Sequence, residues 1–200
     1  QSILFQSINN YRWLHTLRQQ QSVIVVNIPS ASLHVYEGVE NPINMKMVVG
    51  KKSTPTKTLT SIIHQVIVNP FWNVPKSIAT KELLPIIQKD RTYIETAHLQ
   101  VLNQDYKIIN PQHIDWSNYN ESNFPFYLRQ STGCDNSLGV VKLDFDSPFG
   151  IYLHDTPEKS LFKNANRFYS HGCMRMEKPL EVAKWVMRYD SKSLDTIDFT

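Results

Sequence analysis

Between Ile151 and Met176 the chain reads IYLHDTPEKSLFKNANRFYSHGCMRM, and no other stretch limits the possible folds as strongly. A strand-like GIYLH ends on His154. Nineteen residues later Cys173 stands between a glycine and a methionine, with His171 two residues before it and Arg175 two residues after. If the strand ending at His154 lies beside the segment carrying Cys173, the imidazole can take the thiol proton, and a backbone carbonyl from the neighbouring turn can orient the ring. On an extended segment His171 and Arg175 fall on the same side as Cys173. The chemistry this pattern favours is a cysteine nucleophile, which needs partial exposure and a nearby base or positive field to populate its thiolate. Gly172 lets the backbone approach a substrate closely, and the amides of Gly172 and Cys173 are candidates to cradle an oxyanion. Zinc is the competing chemistry, because both histidines and the cysteine are ligand types. The spacing H-x16-H-x-C matches none of the common structural zinc patterns.

The remainder of the chain reads as β-rich with few helices. Ser7 to Gln20 carry Ile8, Tyr11, Leu14 and Leu17 at helical spacing, which predicts an amphipathic lead-in helix that packs on the domain. VIVVNI, SLHVYEG and INMKMVVG then alternate like a β-meander, broken at Pro29-Ser30 and at Asn41-Pro42, and SIIHQVIV is a further strand ended by Asn69-Pro70. A helix with Thr80 as its N-cap, broken or kinked at Pro85, is expected in SIATKELLPIIQKD. The segment from Asp90 to Phe126 is rich in Asn, Gln, Asp and Tyr, and a stretch of that length is read as a lid, a binding loop or a sub-domain. VVKLDF and GIYLH look like a paired hairpin, Thr156 and Pro157 like a helix start, and Pro179 to Tyr189 like a helix docked on the sheet.

At 200 residues the chain suffices for one good core with a small inserted lobe. Its net charge of +3 is spread thinly, and no run of Lys and Arg is longer than Lys51–Lys52, so no nucleic-acid partner is expected. No stretch approaches the roughly 18 apolar residues of a membrane span. Two cysteines, Cys134 and Cys173, are too few for a disulfide framework. No signal peptide is visible in QSILFQSINNYRW, which is silent on compartment.

SHGCMR at Ser170 to Arg175, preceded by His154 in IYLHDTP, resembles the signature of the YkuD-type L,D-transpeptidase catalytic domain. NPFWNVPKSIATKELLP, IDW at Ile114 to Trp116, and RQSTGCDNSLGVVKLDF resemble a subgroup with a large inserted lobe over the active site. The resemblance implies a mainly β fold with some α: a β-sandwich-like catalytic core, a helical and irregular capping insert at about 76–127, and a C-terminal helix. The implied division is a helical lead-in over 1–20, a catalytic domain over 21–190 and a tail over 191–200.

Carried over residue by residue, the resemblance implies Cys173 as nucleophile and His154 as general base and acid. Asp155 would orient His154 through its backbone carbonyl, and His171 would support the site. Arg175, Ser170, Tyr152 and Trp72 are the expected substrate contacts, with Arg175 holding a substrate carboxylate. No cofactor or metal is expected. The implied reaction is attack on the third residue of a peptidoglycan tetrapeptide stem, release of D-alanine through a thioester, and capture by a neighbouring stem's amine, in cell-wall biogenesis and control of cell shape. The alternatives are an L,D-carboxypeptidase with water as acceptor and a non-catalytic peptidoglycan-binding module. Expected partners are donor and acceptor stem peptides and carbapenem-type β-lactams, and the expected location is the periplasm or cell envelope. The subgroup generally has a proline-glycine-proline-like run where this chain has Thr132-Gly133-Cys134, and Cys134 is expected to be buried and inert rather than a redox partner of Cys173.

Overall fold

β-branched residues recur through the chain from Val23 to Gly50, and such residues suit a pleated, half-buried surface. The computed structural model describes residues 3–188; the tail expected at 191–200 lies outside the described residues. After a helix α1 (Ile3–Gln20) come strands β1 (Val23–Asn27), β2 (Ser32–Glu37) and β3 (Glu40–Gly50), an antiparallel meander as the alternation predicts. β3 runs through Pro42, where a break was expected. The pairing of β2 with β3 is irregular between Val35 and Glu37, and a proline is tolerated at such a bulge because no ladder N–H is required there. α1 also departs from expectation: none of its residues is buried. Its apolar residues, among them Ile3, Leu4, Tyr11 and Trp13, are not gathered on one stripe, so the helix has no single face to dock.

Further along are β4 (Ile63–Val68), β5 (Trp72–Asn73), helices α2 (Lys76–Ile78), α3 (Leu84–Lys89) and α4 (Tyr93–Thr96), strands β6 (Leu99–Leu102), β7 (Ile108–Ile109), β8 (Tyr127–Gln130), β9 (Val141–Phe145), β10 (Leu153–His154), β11 (Phe168–Ser170) and β12 (Met174–Met176), and helix α5 (Pro179–Met187). The result is an α+β fold, mostly sheet with few helices. The chain divides into two compact units, one from Gln1–Val66 with Leu143–Thr200 and the other from Ile67–Lys142.

In the first unit the strand order is β1-β2-β3-β12-β10, continued by β9 and β4, with β11 also paired to β3. Ile43, Met45 and Met47 alternate inward along β3, and Val48 and Val49 at its end are both fully buried. α5 buries Val182, Ala183 and Trp185, and its end is tied to β2 by Glu37, whose carboxylate accepts from Trp185 Nε1 at 3.1 Å and Arg188 Nη2 at 3.2 Å.

The second unit has its own four-stranded sheet, β5-β8-β6-β7, and its own core of Leu84, Ile87, Ile94, Val101, Trp116 and Leu128. Its helical stretch starts at Lys76, directly after Pro75, so Thr80 lies inside it with Oγ1 donating to Lys76 O at 2.9 Å rather than capping its start. The break expected at Pro85 appears as a widened turn over Ala79–Leu83, where Leu84 N–H reaches back five residues to Ala79 O. That registers the chain around a residue with no N–H of its own. Hydrogen bonds from Thr92 and from Ser117 hold the Asp90 and Asp115 carboxyls below the usual carboxylate range.

Candidate functional site

Parallel strands cannot be joined by a tight turn; they need a crossover of a dozen or more residues. The stretch between His154 and Cys173 is that crossover. β10 lies parallel to β12, with Leu153 opposite Met174 and His154 opposite Arg175. Met174 N donates to Tyr152 O at 3.0 Å. β12 runs antiparallel to β3, Arg175 facing Val48, while β11 runs parallel to β3 with Ser170 facing Gly50. The sheet thereby brings the strand end carrying His154 beside the segment that carries Cys173. Within the crossover a 3-10 turn over Lys159–Lys163 starts later than the helix expected at Thr156-Pro157. Thr156 Oγ1 instead accepts from Glu158 N at 3.2 Å and closes the turn before it.

Around the cysteine, neutral hydrogen bonds fix the backbone. Ser170 Oγ accepts from Gly172 N at 3.1 Å and donates to Cys173 O at 2.5 Å, closing the turn on itself. Thr56 Oγ1 donates to Gly172 O at 2.8 Å and accepts from Gly50 N at 2.8 Å. Thr54 Oγ1 and Lys51 N both donate to Ser170 O, at 3.1 and 2.9 Å. Gly172 has φ of +120°, a region that L side chains rarely adopt. At Gly50 the demand is close approach: a Cβ there would lie 2.3 Å from Thr54 O and 2.4 Å from Thr56 N.

These contacts bear on two expected roles. Ser170 is buried with its hydroxyl engaged within the turn. The Gly172 amide donates to Ser170 Oγ, which leaves Cys173 N as the other candidate amide for an oxyanion. Gly50, Thr54 and Thr56 had gone unassigned in the sequence. The signal is there in GKKSTPT, a strand ending on glycine followed by hydroxyl residues, but it names no partner.

His154 is buried, and its Nδ1 donates to Asp155 O at 2.5 Å. A carbonyl oxygen has no proton to give, so Nδ1 carries the hydrogen, and in the neutral form of the ring the lone pair lies on Nε2. The Tyr152 ring meets the imidazole edge-on, with centroids 5.5 Å apart. The Asp155 side chain is only 7% exposed and its carboxylate is paired with Lys159. Arg175 Nη1 donates to Glu158 Oε2 at 2.5 Å, and Arg175 Nε is buried without a hydrogen-bond partner. His171 is exposed and Cys173 half-buried.

Trp72 lies in the second unit, on β5 opposite Gln130, half-buried against that unit's core. Cys134, expected to be buried, is exposed. The interior of its loop is occupied by Asn136, whose Nδ2 donates to Pro70 O and Ser131 O, at 3.1 and 2.7 Å, leaving no apolar niche for the thiol. Among the described residues no group of three or more His, Cys, Asp or Glu side chains is arranged to hold a metal ion, and no helix is long and apolar enough to cross a membrane.

Residues 21–192 match the family model of the YkuD L,D-transpeptidase catalytic domain. A protein of Haemophilus influenzae (strain Rd), provisionally named an L,D-transpeptidase, is 34% identical over 179 residues, which cover 90% of this chain and 36% of that protein. The chain therefore spans about a third of the length of this curated relative. The solved catalytic domain of the E. faecium L,D-transpeptidase acylated by ertapenem shares 12% identity at a TM-score of 0.42, over 78% of this chain and 81% of that one. An L,D-transpeptidase from Mycobacterium smegmatis shares 15% identity at a TM-score of 0.36, over 84% of this chain and 54% of that one. At those scores the two structures add nothing to the family match.

Proposed function

This chain belongs to the YkuD family of L,D-transpeptidase catalytic domains, and on that premise we propose that it cross-links peptidoglycan through a thioester on Cys173. The observation that carries the proposal is the His154 ring, oriented by Asp155 O, on a strand end in parallel register with the segment that follows Cys173. Nε2 of His154 takes the thiol proton as the sulfur attacks the carbonyl of the third stem residue. The tetrahedral oxyanion is held by backbone amides other than that of Gly172, with Cys173 N the first candidate. The proton on His154 then passes to the departing D-alanine amine, and the thioester remains. An amine from a second stem attacks the thioester, gives its proton to His154, and leaves a third-residue to third-residue amide; the imidazole returns the proton to the thiolate.

Water in place of the amine gives the L,D-carboxypeptidase outcome on the same site. Arg175 is assigned the hold on a substrate carboxylate, and the periplasm or cell envelope is the compartment in which this substrate occurs.

Intact-protein mass after mixing with a carbapenem tests the nucleophile. The wild-type chain should gain one adduct, Cys134→Ser should gain the same adduct, and Cys173→Ala should gain none. An unmodified wild type, or an adduct that survives in Cys173→Ala, overturns the assignment. His154→Ala should slow acylation by about a hundredfold or more and His171→Ala by less than about tenfold; the reverse order would move the base to His171. With disaccharide-tetrapeptides, dimers support the transpeptidase and tripeptides alone the carboxypeptidase.

A further inference from the structure

The loop that follows β3, GKKSTPT from Gly50 to Thr56, has two faces to its work, and the reaction as proposed uses one of them. It holds the cysteine turn: Thr56 Oγ1 donates to Gly172 O at 2.8 Å, and Lys51 N donates to Ser170 O at 2.9 Å. The same loop also walls a cavity of about 400 Å³, a size in the range of small-molecule sites. Ile28, Pro55 and Phe168 supply apolar walls, and Gly50 and Thr56 are shared with the cysteine turn. The remaining lining residues, Lys52 and Asn166, are exposed, while His154, Cys173 and Arg175 do not line the cavity.

The polar groups of this lining select the charge of a ligand. Asn166 Oδ1 accepts from Phe168 N at 3.1 Å, which commits the acceptor end of the amide and leaves its two N–H donors. The Lys52 ammonium offers three more, and among the described residues it makes no ion pair or hydrogen bond. Thr56 has spent its hydrogen on Gly172 O, and no Asp or Glu lines the cavity. Such a set suits an anion with two acceptor oxygens and repels a cation. A bare inorganic anion would leave the walls of Ile28, Pro55 and Phe168 in water, so the ligand that fits carries an apolar body beside its carboxylate.

We infer that this cavity is a second peptide site: it takes the C-terminal carboxylate of an unreacting stem peptide on Lys52 and Asn166, with the small apolar last residue against Pro55 and Phe168. The choice of peptide rests on the reading of the chain as a peptidoglycan cross-linking enzyme. That polymer displays many stems on one strand. A weak second site therefore tethers the enzyme through one stem and raises the effective concentration of another at Cys173.

The test uses N-acetyl-L-alanyl-D-alanine, its C-terminal amide and inorganic phosphate as probes, on the Cys173→Ala chain so that nothing is turned over. Backbone amide shifts of Lys52, Asn166 and Phe168 report binding. The dipeptide should shift all three, with a Kd on the order of 1 mM. The amide should bind at least about fivefold more weakly. Lys52→Met should weaken the dipeptide by about three- to tenfold, less so as salt is raised, and Phe168→Ala by a similar factor. Lys52 is exposed, so its replacement leaves the core untouched. In the chain that keeps Cys173, Lys52→Met should acylate with carbapenem and turn over single disaccharide-tetrapeptides within about twofold of wild type. Its co-sedimentation with intact peptidoglycan should fall by about threefold or more.

Equal binding of dipeptide and amide, or a Lys52→Met chain that binds the dipeptide or intact peptidoglycan as wild type does, overturns the inference. So does an absence of shifts at the three residues, or phosphate binding as tightly as the dipeptide, which would reduce the cavity to a bare anion spot. The parent reading fails differently. A wild-type chain that carbapenem leaves unmodified removes the nucleophile, yet the shifts at Lys52, Asn166 and Phe168 still report whether the cavity takes a peptide carboxylate.

Discussion

The turn that carries Cys173 and the turn that follows His154 each hold one half of the proposed reacting pair, and they do so by different physics. The cysteine turn is held by neutral, mostly buried hydrogen bonds: Thr56 to Gly172, Thr54 and Lys51 to Ser170, and Ser170 within the turn. The histidine turn has neutral bonds too, Nδ1 to Asp155 O and Glu158 N to Thr156 Oγ1, and is braced in addition by the Lys159–Asp155 and Arg175–Glu158 ion pairs. A nucleophile that must present its sulfur and an amide to one carbonyl needs a fixed backbone. Buried hydrogen bonds supply that at high cost if broken, because the abandoned partner stays dry. A base needs its charge state adjusted as well as its position, and ion pairs do this through the local field, with a sensitivity to salt that buried neutral bonds lack. Substitutions on the cysteine side should therefore be severe and insensitive to salt, and those on the histidine side milder and sensitive to salt.

The largest expected effect is at Gly50. Ala would place Cβ against two backbone atoms, at 2.3 and 2.4 Å, that no rotamer change can move aside. Gly50→Ala should cost about 3 kcal/mol or more, or displace the loop over 54–56 and abolish acylation. Thermal unfolding with the carbapenem mass assay reads both. A variant that unfolds and acylates as wild type would show that the close approach is dispensable.

Thr56→Val comes next. It keeps the shape but leaves Gly50 N and Gly172 O without their shared partner, each worth about 1–3 kcal/mol when buried. Stability should fall by about 2–5 kcal/mol and acylation by about tenfold, with the same loss at low and high salt. A loss that salt removes would break the contrast between the two turns.

How much of this was legible in the sequence divides along the same line. The residues of SHGCMR and the strand-end histidine could be read because their side-chain chemistry is local, and the meander from Val23 to Gly50 because alternation is local too. Thr56 could not, because its hydroxyl acts on Gly172 across 116 positions of sequence. The bond between Ser170 and the Gly172 amide was out of reach for a related reason. Sequence shows that a hydroxyl and an amide are present, but a positive φ at Gly172 decides that they satisfy each other. Cys134 was expected inside because a cysteine is usually buried, and Asn136 holds that interior instead.

Glu158→Gln should have the smallest effect, and it separates two meanings of the Arg175 pair. The glutamate side chain is 60% exposed and the arginine 20%, so the pair contributes at most about 0.5 kcal/mol to stability, and unfolding should hardly change. If Arg175 holds a substrate carboxylate as proposed, the influence of the pair falls on anionic substrates. With Glu158 bonded to Nη1, an incoming carboxylate must displace it to reach the guanidinium, and the buried Nε without a partner shows that the guanidinium is not fully satisfied by Glu158 alone. Gln keeps a hydrogen-bond acceptor and removes the competing charge. KM for a tetrapeptide donor should fall by about two- to fivefold at low ionic strength, with kcat little changed, and the advantage should shrink as salt is raised. If KM rises instead, Glu158 holds Arg175 in place rather than competing for it, and the ion pair on the histidine side is as structural as the hydroxyl network on the cysteine side.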